Sequence, residues 1–124
     1  MNFKQFFEGW DISGQYDGPR PDHIVDTQVK QSPFSFRHVG RVFWDNIASA
    51  KMQQIPTSKV YATQQWISTQ WKGNDIDKMF GVRTPDGNVH LIDGHHRANE
   101  AIKNGIPLLY IEVVDHDLAN DKFK

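Results

Sequence analysis

The chain has 124 residues, enough for one domain whose core buries roughly two thirds of the surface that the unfolded chain exposes. Fourteen basic residues against fifteen acidic ones leave no basic surplus of the kind that gripping duplex DNA through many phosphates requires. Without cysteine there is no disulfide framework or thiolate metal site. With no apolar run as long as a membrane span and no basic-then-apolar leader, a soluble cytoplasmic protein without membrane contact is expected.

Phe3, Phe6, Phe7 and Trp10 recur at helical spacing and predict a short amphipathic helix over residues 2–10. Its single basic residue, Lys4, leaves no cationic face for a membrane, so packing, self-association or a protein partner is the expected use. Residues 11–38 carry Gly14, Gly18, Pro19, Pro21 and Pro33, which predicts an extended, loop-rich arm. Its Asp17, Asp22, Asp26 and His23 offer ligands or a base to a site elsewhere, with nothing in the sequence to direct them there. Residues 1–50 are thus expected to form a helical and loop-rich extension packed on a domain over 51–124. Arg37, His38 and Arg41 form a small basic group, as do Lys51 and Lys59, with no nucleic-acid motif beside them.

Val39, Val42, Phe43, Ile47 and Ala50 share one helical face and predict a buried helix over 39–52. Residues 55–60 read as a short strand opened by Pro56. Thr63 is placed to cap a helix over 64–72 that would turn Trp66, Ile67 and Trp71 to the core and end at Gly73. Residues 78–82 and 89–92 read as a hairpin around the turn Pro85, Asp86, Gly87, Asn88. There proline pre-sets one dihedral and glycine accepts positive φ. Residues 106–114, rich in β-branched and leucine side chains, are the clearest strand, and 115–124 are expected to fray.

Residues 88–105, NVHLIDGHHRANEAIKNG, concentrate the chemistry. Val89, Leu91 and Ile92 form a strand, and Gly94 reverses the chain. Ala98, Ala101 and Ile102 follow at helical spacing, and Gly105 ends the helix. The first amides of a helix lack intrahelical partners and lie at the positive end of its dipole, so they attract an anion. His95 and His96 add donors that exchange protons near neutrality, and the forked guanidinium of Arg97 suits a phosphate. A competing metal site of His90, Asp93, His95 and His96 is disfavoured. His90 and Asp93, three apart on a strand, project to opposite faces.

The run Leu91, Ile92, Asp93, Gly94, His95, His96, Arg97, with Ala98, Ala101 and Gly105, resembles the signature of the ParB/sulfiredoxin superfamily. In that superfamily a strand, a glycine-containing turn and an arginine at a helix start bind nucleotide phosphates. The Asp-Gly-His-His-Arg form is most similar to ParB-like proteins of nuclease type and to free-serine kinases of the same fold. Residues 55–60 and Gln64 extend the likeness to about residues 52–115. The resemblance implies a small α/β (α+β) domain with a mixed sheet and flanking helices. Sulfiredoxins carry a catalytic cysteine where this chain has His95, so their chemistry is excluded. The kinases place a glutamate after the first strand, whereas Tyr61 to Gln65 contain no carboxylate. Only ten residues follow Val114, too few for the DNA-binding helix-turn-helix of partitioning proteins.

Two functions follow as expectations. The first is a nuclease or nucleotide phosphohydrolase. Gly94, His95, His96 and Arg97 would hold phosphate, and Asp93, His95 and His96 would be catalytic, with Asp93 binding Mg²⁺ or orienting a histidine. The second is a non-catalytic nucleotide-binding or inhibitory module that reaches a protein partner through Phe3, Phe6, Phe7 and Trp10. A third possibility is that the polar turn merely caps a helix.

Overall fold

The computed structural model describes residues 22–69 and 78–121. The expected aromatic helix over 2–10, with Trp71 and Gly73, lies outside them.

Strands β1 (Ile24–Asp26) and β2 (Lys30–Gln31) precede helix α1 (Phe36–Asp45) and strands β3 (Lys51–Pro56), β4 (Val60–Ala62) and β5 (Trp66–Ser68). Strands β6 (Phe80–Arg83) and β7 (Val89–Asp93), helix α2 (His95–Lys103) and strand β8 (Leu108–Asp115) follow among the described residues. Six strands form one mixed sheet in the order β2-β4-β7-β6-β8-β3, and β1 pairs with β5 in a separate ribbon. The result is a small α/β fold, as expected.

Central strand β7 runs parallel to β4 and antiparallel to β6, and both of its faces are covered. Val89 and Leu91 join Ala98 and Ala101 of α2, with Ile111 and Val113 of β8, in one core. Ile92 meets Val39, Val42 and Phe43 of α1, with Leu118, in a second core on the other side. The side-chain alternation of a strand therefore divides β7 between two apolar layers. The β6–β7 hairpin forms around the anticipated turn, closed by bonds from Gly87 N to Thr84 O and from Thr84 N to Asn88 O, both 2.9 Å.

Several local expectations are corrected. Helix α1 starts at Phe36, because Ser35 Oγ caps the amide of His38 at 3.1 Å. It stops at Asp45, and Asn46 turns its side-chain amide onto Val42 O. Residues 47–49 form a 3₁₀ turn and 51–56 a strand, so Ile47 is exposed. Pro56 closes β3 rather than opening a strand, which an edge strand tolerates. Residues 66–68 are strand, not helix: the hydroxyl of Thr63 donates to Leu91 O at 2.6 Å instead of capping, and β5 pairs with β1.

The described part of the arm is not simply loop, since β2 borders the main sheet and β1 forms the ribbon. Together with α1, these strands carry residues 22–49 into the architecture of the following domain. Nor do residues 116–121 fray, the part of the expected fraying end that lies among the described residues. Leu118 is fully buried, and Asp121 contacts both His116 and His38. No described helix is long and apolar enough to cross a membrane.

Candidate functional site

Strand β7 ends at Asp93, Gly94 bridges to α2, and His95 opens the helix. Gly94 sits at φ 93° and ψ 18°, a left-handed conformation that L side chains adopt only with strain. A Cβ there would also lie 2.6 Å from Met79 Cγ, so glycine is required for space as well as for φ. No side chain caps this helix start. Its N-terminal dipole is complemented by no acidic residue in the first turn. Asp93, half-buried, accepts the Gly94 amide on Oδ1 at 2.8 Å, which turns the carboxylate toward the reversal.

The two histidines have different positions. His95 is 3% exposed, and its Nε2 accepts the backbone amide of Thr63 at 3.1 Å. An amide can only donate, so Nε2 carries no proton and the imidazole is the neutral Nδ1–H tautomer. Burial, with His96 adding a smaller effect, pushes its pKa down to about 3. His95 therefore works as a fixed acceptor that ties α2 to the loop after β4. Its expected roles as proton-transfer catalyst and phosphate donor are corrected. His96 is half-buried, and its Nε2 accepts the Ser68 amide at 3.0 Å, tying α2 to β5. Arg97 is half-buried one residue further along the same turn.

The chain matches no protein-family model, no curated protein and no solved structure.

Around α2, the structure adds residues that the motif did not announce. Asn99, 4% exposed, accepts Gln28 N at 2.7 Å and Thr27 Oγ1 at 3.3 Å, clamping the middle of the arm to the helix. A polar hollow of about 170 Å³ lies between this clamp and β5, lined by Asp26, Ser68, His96, Asn99, Glu100 and Lys103. Asp26, read from the sequence as a candidate without a destination, is thereby brought to the same hollow as His96. The carbonyl of His23 accepts Thr69 N and Oγ1. Ser68 lies in unremarkable sequence, Thr63 reads there only as a helix cap, and Asn99, within the 88–105 stretch, has no expected role.

His90 is separate from this group. Its ring bonds to Ser32 Oγ at 2.7 Å and Thr84 Oγ1 at 3.3 Å. Among the described residues, no three His, Asp or Glu side chains are arranged to hold a metal by themselves. Mg²⁺ commonly takes only one or two protein carboxylates and completes its shell with substrate phosphates and water. Asp93, with one oxygen engaged by Gly94 N, is compatible with that mode as a single ligand.

Proposed function

We propose that the protein binds a nucleotide or nucleic-acid phosphate at the Gly94 turn and acts there as a nuclease or nucleotide phosphohydrolase of ParB-like type. One observation carries this reading. A sterically obligatory left-handed glycine launches a nine-residue helix that has neither a capping side chain nor a first-turn acid, with Arg97 in that turn. Helix amides and a guanidinium then hold phosphate oxygens and stabilise charge that develops on them. Asp93 would hold Mg²⁺ together with the bound phosphate, and the metal would supply charge neutralisation. His96 is the imidazole for proton transfer, because it is half-buried where His95 is buried, although its Nε2 also accepts a backbone amide.

A non-catalytic binding module is the second reading, and the use of both imidazole Nε2 atoms as acceptors of backbone amides favours it. Titration calorimetry with the four ribonucleoside triphosphates, with and without Mg²⁺, tests binding. Arg97→Ala should cost about 1.5–3 kcal/mol of affinity, the worth of a charge-assisted contact. Unchanged affinity in that variant refutes the site. Incubation with the same nucleotides and with plasmid separates the two readings: binding without turnover leaves the module.

A further inference from the structure

On the face of the sheet that carries α1, two adjoining hollows of about 660 and 490 Å³ share Pro33, Phe34 and Ala119 as a common wall. Each is within the range of small-molecule sites, roughly 300–1,000 Å³. Their chemistry is unequal. The larger is lined by Arg37 and Arg41, one helical turn apart, and by no acid among the described residues. The smaller has the flat walls of Tyr61 and Pro85, the ring of His90, and the carboxylates of Asp86 and Asp117.

Hydrogen-bond direction defines the inner wall. Phe34 N donates to Ser32 Oγ, at 3.0 Å, so the Ser32 hydroxyl can give its own proton to His90 Nδ1, 2.7 Å away. Thr84 Oγ1 donates to Asp86 Oδ1 at 2.5 Å, which leaves it to accept from His90 Nε2. Burial pushes the imidazole pKa down to about 4, so this ring is neutral. Phe34 meets it edge-on at 5.1 Å between centroids, and Tyr61 lies tilted at 5.5 Å. The groove thus has an aromatic end, with a neutral imidazole and carboxylate acceptors, and a cationic end, joined across Phe34.

We propose that this groove binds a ligand of the nucleoside-monophosphate class, with its heterocycle against Phe34, Tyr61 and Pro85 and its phosphate at Arg37 and Arg41. Every heterocyclic base has a π-face for such a platform, and Asp86 and Asp117 accept from its amino groups or from sugar hydroxyls. The guanidinium forks suit the phosphate. This site is independent of the glycine turn. It lies at the opposite end of β7, whose five residues separate the two by about 13 Å, and on the opposite face from α2.

Titration of the isotope-labelled full chain, followed by NMR, with adenosine 5′-monophosphate, adenosine and inorganic phosphate in separate arms tests this. The monophosphate should perturb Phe34, Arg37, Tyr61 and Ala119 and bind at least tenfold more tightly than adenosine or phosphate alone. Arg37→Glu, at an exposed position, should weaken the monophosphate by about tenfold or more and leave adenosine unchanged. Tyr61→Leu should weaken both ring-bearing ligands and spare phosphate, and in Arg97→Ala, which removes any binding at the glycine turn, the perturbations of Phe34, Arg37, Tyr61 and Ala119 should persist over the same ligand concentrations. Perturbations confined to residues 93–97, or a monophosphate that binds no better than phosphate, would overturn the proposal. So would loss of the perturbations at Phe34, Arg37, Tyr61 and Ala119 in Arg97→Ala.

Discussion

Alanine at Gly94 should destabilise the protein by about 2–5 kcal/mol, and the structure divides that cost into two parts. Holding a side-chain-bearing residue at φ 93° costs about 1–2 kcal/mol. The new methyl also meets Met79 Cγ at 2.6 Å and Met79 Cα at 3.0 Å. The second contact is backbone and cannot rotate away, so overpacking adds about 1–3 kcal/mol. Gly87 provides the comparison, because its φ is 89° and nothing lies within 4 Å of its absent Cβ. Gly87→Ala should therefore show only the conformational cost. Urea unfolding of both variants, with the slope held constant, gives the difference directly. A double-mutant cycle with Met79→Ala should recover part of the Gly94 penalty. Equal losses at the two glycines would refute the steric argument, and with it the claim that this turn accepts no other residue.

Acidification is the second expectation. His90 and His95 have native pKa values of about 4 and about 3, against 6.5 when unfolded, so below pH 6.5 the unfolded chain binds protons that the native protein refuses. Stability should fall as pH drops from 6.5 towards 4, by up to about 1.4 kcal/mol per pH unit for each histidine. His95→Gln should remove one of the two contributions, and an unchanged slope in denaturant unfolding would contradict the buried neutral imidazole. Leu118→Ala, at a fully buried position, should cost about 2–5 kcal/mol, whereas a fraying terminus would lose almost nothing. Asp115→Ala removes a two-pronged contact with Arg83, at 2.6 and 3.1 Å. With the aspartate side chain 63% exposed, it should cost less than about 1 kcal/mol and matter less still in high salt.

The elements legible in the sequence are those whose cause is local. The β6–β7 hairpin follows from Pro85, Asp86 and Gly87. Helix α2 follows from Gly94 and the spacing of Ala98, Ala101 and Ile102, and β8 from its β-branched run. Trp66–Ser68 was not legible, because its strand conformation depends on pairing with Ile24–Asp26, far back in the chain. The strand–glycine–helix turn was legible for the same local reason. The roles of its histidines were not. Backbone amides of Thr63 and Ser68 decide them, and a backbone amide leaves no mark in a sequence.

Pairing between β3 and β8 joins Lys51 to Val113 and Pro56 to Leu108, across a chain separation that spans β4, the β6–β7 hairpin and α2. During synthesis β3 therefore emerges long before its partner and waits as an unpaired edge while the intervening elements form. Such long-range closure carries a large loop entropy and slows folding. Completion of the sheet is therefore expected to come late, with β3 left as an unpaired strand on the nascent chain until β8 arrives.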